Sequence, residues 1–454
     1  MKRVSALLAA LVLTGASGGA AIAAEEGRGL DWRPCEVDGP VTCATITVPV
    51  DWNRPSAGTI EVEVARTRAT GRKQGTLVYL PGGPGDSGVN RLLGGNVVPA
   101  EVSERFDVVS YDPRGTNRSN PVVCDADLVG TLPETVPDAG ATLASVQHHA
   151  RELGDSCRAH TGPLVDHVDN VSVARDVEAL RAALGERRIT LYGRSYGTLA
   201  GQVYAENFPH RVRGLVLDSV FDHGLSIREL LASQARAGED AFAEFATWCA
   251  VDPSCGFDAA AAYTSLWDAA VRGELPGGAA ALNQRVLGLL YGPDRPALAA
   301  LLRDTGPRTA GAGTAPFPIA AFCTDHDVRI SSEREWSSLW RQQAAQAPTL
   351  RTHFAFSAVS LCAAWPADTP NPQHRTRLDD DVPPVLIMNS AHDPATPLEW
   401  ARGVHDQVGG TLLTYDGWGH GVVNRTDCTR AAFTDYVLTG TSPSPGAHCP
   451  AAAP

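Results

Sequence analysis

Apolar and polar positions along this chain fall into short repeated blocks. Thr76 to Leu80, in GTLVYLPGGPGDSG, is an apolar run that ends in a glycine–proline loop. RFDVVSYDPRGTNRS repeats the plan, with the run Val108 to Tyr111 ahead of its loop. RRITLYGRSYG, RVRGLVLDSVFD, PPVLIMNSAHD and finally GTLLTYDGWGHG do so again. Brief apolar runs bounded by turn residues read as strands buried on both faces. VARDVEALRAALG, just before the GRSYG run, has helical spacing. Runs alternating with helices predict an α/β fold: a mostly parallel sheet flanked by helices. Upstream, CATITVPVDWNRPSAGTIEVEVARTRA reads as two strands around a turn at Asn53 to Gly58, with alternation plain in TIEVEVARTRA.

Between Asp222 and Val382 the pattern changes. Alanine-rich helical segments such as SIRELLASQARAGEDAFAEFATWCA appear, with the flexible stretch TGPRTAGAGTAP and no clear buried strand. The sheet pattern then resumes. We expect a leader at 1–24, a core in two parts at 25–222 and 383–454, and an inserted helical cap at 223–382. A separate helical domain with its own role is the alternative.

Composition narrows the class. The chain has 454 residues, 43% of them hydrophobic, enough for a large core. Its net charge of −13 carries no basic run, so no nucleic-acid partner is expected. Lys2 and Arg3, the apolar VSALLAALVLTGA and the small residues of AIAAEE have the form of a secretory signal, with cleavage after Ala23 or Ala24. That apolar run is too short to span a bilayer. The mature protein is therefore expected to be extracellular, without a membrane anchor. Ten cysteines fit an oxidising compartment. They lie in local pairs, Cys35 and Cys43, Cys124 and Cys157, Cys249 and Cys255, Cys323 and Cys362, Cys428 and Cys449. Nearest-neighbour pairing is the expectation, although spacing alone leaves connectivity open. With no C-x-x-C or H-E-x-x-H, no metal site is expected.

Candidate chemistry centres on Gly193-Arg194-Ser195-Tyr196-Gly197, a G-x-S-x-G elbow after a strand. A serine hydroxyl needs a base, an orienting acid and oxyanion donors. Asp393, in HDPATP after VLIMNS, is the candidate acid, at the carboxyl end of a strand where open sheets place function. His420, in YDGWGHG, is the candidate base; an ordinary histidine pKa of about 6.5 suits the role. His392 competes, but precedes the acid rather than lying in a separate downstream loop. The oxyanion donors are expected to be the backbone N–H groups of Tyr196 and, in PGGPG, of Gly83, with Gly82 as the fallback.

In this order, PGGPGDSG, DVVSYDPRGTNRS, GRSYGT, HDPATP and GWGHG resemble the secreted tripeptidyl aminopeptidases of actinobacteria, within the proline iminopeptidase family of α/β-hydrolases. The resemblance runs from about Trp32 to about Cys449. It implies an α/β-hydrolase fold and release of short peptides, or a proline residue, from free N-termini. It implies an acyl-enzyme on Ser195, with His420 as base then acid and Asp393 orienting it, and no cofactor. Where the family loop usually begins with histidine, this chain has Pro81, which bears on substrate preference more than on catalysis. Esterases and amidases acting on small non-peptide molecules share the scaffold. The expected partner is a peptide or small-molecule substrate, and a monomer is favoured. An aminopeptidase must hold a cationic α-amine. A carboxylate in the cap would serve, and Asp325, in FCTDHD beside Cys323, is the candidate, with Glu239 and Asp240 as rivals.

Overall fold

The computed structural model describes residues 29–36, 39–95, 97–292, 294–303 and 314–452. The expected leader and most of TGPRTAGAGTAP lie outside them. Within the described residues the strands are β1 Arg33–Pro34, β2 Val41–Pro49, β3 Thr59–Thr67, β4 Gly75–Leu80, β5 Phe106–Tyr111, β6 Val123–Asp125, β7 Ile189–Arg194, β8 Val212–Asp218, β9 Thr314–Pro316, β10 Leu386–His392, β11 Thr411–Trp418 and β12 His448–Cys449. All but β6 and β9 form one sheet, in the order β1-β2-β3-β5-β4-β7-β8-β10-β11-β12. From β5 to β12 every neighbour is parallel, whereas β1, β2 and β3 are antiparallel additions at one edge.

The short apolar runs are buried on both faces. Val78, Leu80, Leu191, Leu215, Leu217 and Ile387 enter one core. Their alternates Leu77, Tyr79, Tyr192, Val216, Leu386 and Met388 enter another, across the sheet. The helix Asn170–Ala183 ahead of β7 and the helix Gly197–Asn207 behind it cover the first face. The helix Asp427–Thr439 brings Phe433 and Tyr436 to the second. Small pairings escaped the pattern: β6 with β9, of which β9 lies in the region expected to lack a clear strand, and β12 after the run expected to be last. Segments of two or three residues carry too few side chains for a period to register.

Adjacent strands β8 and β10 are separated in sequence by helices, among them Ile227–Val251, Gly278–Tyr291, Ile319–Asp325, Glu333–Gln346 and Ala355–Cys362. Their apolar faces, with Leu230, Leu287, Phe322, Trp336 and Phe356, are continuous with the core on one side of the sheet. All ten cysteines are paired as their neighbourhood suggested. Cys323–Cys362 ties the helices Ile319–Asp325 and Ala355–Cys362 together. No helix of the described residues is long and apolar enough to cross a membrane.

The sheet grows from β4 toward β5 on one side and toward β7 on the other. Loops leaving β4 and β7 therefore diverge, opening a crevice at the carboxyl ends of the strands.

Candidate active site

Ser195 leaves β7 with φ of 57°, a left-handed conformation uncommon for serine. The surrounding structure holds it there. Its N–H donates to Asp218 O, and its carbonyl accepts from Thr198 N, both at 2.9 Å. The bracketing glycines have a steric cause. A Cβ on Gly197 would come within 2.1 Å of Leu80 O, and one on Gly193 within 2.6 Å of Gly197 O. The turn therefore closes only with hydrogen at both positions. The Ser195 hydroxyl makes no hydrogen bond to another described residue, so it can rotate toward a base or a ligand.

Asp393 and His420 meet. His420 Nδ1 lies 3.0 Å from both carboxylate oxygens of Asp393. Asp393 is buried and otherwise fully engaged: Oδ1 accepts from the N–H of Ala395 and Thr396, and Oδ2 from Ser219 Oγ at 2.7 Å and Thr396 Oγ1 at 3.1 Å. Burial pushes the carboxyl up, but His420, its hydrogen bond and the backbone donors outweigh that, holding it below its ordinary value. With Nδ1 committed to the acid, Nε2 is the imidazole nitrogen left for proton transfer. His392 takes no part; its Nδ1 faces Asp240 at 2.6 Å, away from this network.

Two neighbours of the elbow organise these loops. Ser219 donates to Asp393 while its oxygen accepts the N–H of Gly421 at 2.7 Å. Asp218 accepts from Val422 N at 2.8 Å and Tyr192 Oη at 2.9 Å. One dipeptide thus fixes the serine, acid and base loops together. Arg194 and Arg425 add a clamp, both donating to His420 O, at 2.8 and 3.1 Å. Sequence reasoning assigned none of these four a role. The signal lay in polar residues following an apolar strand, in the LDS of β8, where packing alone would place apolar ones.

Gly83, Ser195 and Tyr196 face one cavity of about 240 Å³. No acceptor among the described residues takes the N–H of Gly83 or of Tyr196. Gly82 instead packs on the elbow; a Cβ there would lie 2.8 Å from Ser195 Cβ. Loop 81–87 is braced from DPRG: Asp112 accepts from Ser87 Oγ at 2.5 Å and Arg118 N at 3.1 Å. Arg114, next but one in sequence, forms a buried pair with Asp176 at 2.6 Å.

Asp325 requires a correction. It is 0% exposed and absent from the cavity wall. Its carboxylate accepts from Asn170 N, Asn170 Nδ2, Asn371 Nδ2 and Tyr196 Oη at 2.6–2.8 Å. Burial pushes it up to about 7 against these donors. Such a group anchors Tyr196 and has no face left for a substrate amine. The rivals are also occupied: Glu239 accepts the N–H groups of Thr349 and Leu350, and Asp240 faces His392. Among the described residues, no group of three or more His, Cys, Asp or Glu is arranged to hold a metal ion.

An α/β-hydrolase sheet, a serine elbow and a histidine–carboxylate pair at its strand ends define a serine hydrolase. Comparison with known proteins agrees. Residues 347–449 match the family described as TAP-like protein. The chain is 32% identical to serine protease Hip1 of Mycobacterium tuberculosis, over 97% of this chain and 95% of that one. It is 30% identical to a tripeptidyl aminopeptidase of Streptomyces lividans, over 95% and 89% of the two chains. It is 31% identical to carboxylesterase B of Mycobacterium tuberculosis, over 90% and 86%. The chain belongs to this tripeptidyl aminopeptidase-like family of α/β-hydrolases.

Proposed function

We propose that this protein is an exported serine exopeptidase that releases short peptides from free N-termini, with Ser195, His420 and Asp393 as its triad. The observation that carries the reading is the buried Asp393–His420 pair, tied through Ser219 to the strand that also pins Ser195. In the proposed cycle His420 Nε2 takes the Ser195 proton as Oγ attacks the scissile carbonyl. Asp393 stabilises the imidazolium without accepting its proton. The carbonyl oxygen becomes an oxyanion received by the N–H groups of Gly83 and Tyr196. The C–N bond breaks as His420 protonates the leaving amine. Water, deprotonated by His420, then frees the acyl group and restores Ser195. In this reading 1–24 is removed on export and 223–382 covers the site.

Support for peptide substrates comes from the names of the serine protease and tripeptidyl aminopeptidase relatives. A second reading, a hydrolase of small neutral esters, draws on the cavity wall, where no charged side chain stands among the described residues. One comparison separates them. An exopeptidase cleaves a free tripeptidyl p-nitroanilide at least tenfold faster than its N-acetylated form, since it must bind the amine. Equal rates on the two, with faster turnover of a simple acyl ester, favour the second reading.

A further inference from the structure

A separate cavity of about 290 Å³ shares no lining residue with the one at Ser195. Its wall carries Tyr79 of β4, Tyr192 and Arg194 of β7, Asp218 of β8, Arg91 of the helix Gly88–Leu93, and Arg425 just ahead of the helix Asp427–Thr439. Tyr79 and Tyr192 belong to the core across the sheet from the inserted helices. Arg194 and Arg425 are half-buried, and both donate to one oxygen, the carbonyl of His420. Two like charges are thereby held side by side. Arg425 adds a bond to Gly421 O, again a neutral acceptor, and neither guanidinium forms an ion pair with a carboxylate of the described residues. Arg91 has Asp86 at 3.8 Å. Asp218 is already used, Oδ1 accepting from Val422 N and Oδ2 from Tyr192 Oη.

The donors left over face the cavity. Nε and Nη1 of Arg194, Nη1 of Arg425 and the hydroxyl of Tyr79 make no hydrogen bond to a described residue. They are not closed off, in contrast to Nε and Nη2 of Arg66, which are unpartnered and fully buried. Gly421 lies against the Arg194 guanidinium, where a Cβ would come within 2.3 Å of Nε, so that group is held in place. We infer that this cavity binds a small divalent oxyanion, of the chemistry of sulfate or phosphate, between Arg194 and Arg425. Two partly desolvated cations with no counter-charge repel each other and lose hydration. An oxyanion offsets both costs through charge-assisted hydrogen bonds from the three open nitrogens, and the Tyr79 hydroxyl adds a neutral donor. A monovalent anion leaves one of the two cations uncompensated; a divalent one does not. Both arginines connect the anion to the His420 carbonyl, so its occupancy secures the loop that carries the proposed base. The site does not depend on whether the substrate is a peptide or an ester.

The test is isothermal titration calorimetry of the folded protein with sodium sulfate at neutral pH, with sodium chloride holding the ionic strength constant. Sulfate should bind at one site per chain, and acetate, with half the charge, should bind about tenfold more weakly. In Arg425→Gln the sulfate affinity should fall about tenfold or more, since a charged donor is lost. Tyr79→Phe keeps the buried ring and removes only the hydroxyl; it should weaken sulfate by roughly threefold. Tyr79 lies outside the wall of the Ser195 cavity, so an anion lodged in the oxyanion hole would not register its loss. If Arg425→Gln does not fold, Tyr79→Phe decides alone. No saturable sulfate binding in the parent overturns the inference. Sulfate affinity unchanged in Tyr79→Phe, or in a folded Arg425→Gln, places the anion elsewhere and overturns it too. Acetate binding as tightly as sulfate contradicts a site built for two charges.

Discussion

Ser219 decides how the proposed triad holds its shape. Its hydroxyl hydrogen goes to Asp393 and its oxygen takes the N–H of Gly421, so one side chain bridges the acid loop and the base loop. Removing it leaves the half-buried N–H of Gly421 without that partner and takes one donor from a buried carboxylate. Ser219→Ala should cost about 1–3 kcal/mol of stability, the penalty for stranding such groups. It should also lower kcat by roughly tenfold while leaving KM within about twofold, because the apolar wall that binds substrate is untouched. Urea unfolding and steady-state kinetics on one peptide anilide read both; a change in KM alone would contradict this account of Ser219. At this scale the sequence named Ser195, Asp393 and His420 because a strand-end position and a chain order both pointed to them. It misassigned Asp325. A carboxylate's identity carries no information on what faces it, and the four donors around Asp325 come from residues more than 40 positions away.

Among elements, the telling place is the seam between the inserted helices and the sheet. Three buried histidines sit there. His223, after β8, donates from Nε2 to Asp325 O, and His353 donates from Nε2 to Pro394 O while its Nδ1 accepts from Ala355 N. His326 donates from Nδ1 to Phe322 O and faces the His223 ring. Burial pushes His223 down to about 4 and the other two to about 3. His374 and Glu206 act on His223, and Asp393 on His353, without reversing the direction. Each histidine stays neutral when folded and gains a proton when unfolded below its ordinary pKa near 6.5. The unfolded state then binds more protons, so stability falls as pH drops through that value. Asp325, pushed up to about 7, acts oppositely, since its folded form binds the proton first as pH falls. Within the seam, three groups against one leave a net loss of stability between pH 7.5 and 5.5, on the order of 2 kcal/mol, which His374 and His392, held above their ordinary value by hydrogen bonds to Glu206 and Asp240, offset in part. Urea unfolding at the two pH values should show it, with a smaller loss in His353→Gln; stability that rises toward pH 5.5 would contradict the seam. The longer strands, and helices such as Ile227–Val251, were legible because their periods are long enough to register. The seam was not, since a buried histidine and an exposed one look alike in sequence.

Taken whole, the molecule is a mostly parallel sheet whose strand order turns at β4 and β7, with the helices between β8 and β10 sharing a core with one face. That much follows from apolar runs separated by helices, and the disulfides followed from proximity. The contents of the cavity did not. Its wall gathers residues from the elbow, the glycine loop, the acid loop and several inserted helices, and only folding brings these together. The central claim is that this architecture exists to present one serine. Its most direct test is covalent labelling with a phosphonofluoridate probe, read by peptide mapping and paired with the kinetics of Ser195→Ala. The probe should modify one residue per chain, Ser195. The variant should keep the parent's unfolding midpoint, refuse the label and lose roughly 10⁴-fold or more in kcat. A label on another residue, or a Ser195→Ala enzyme that turns over near the parent rate, would contradict the account.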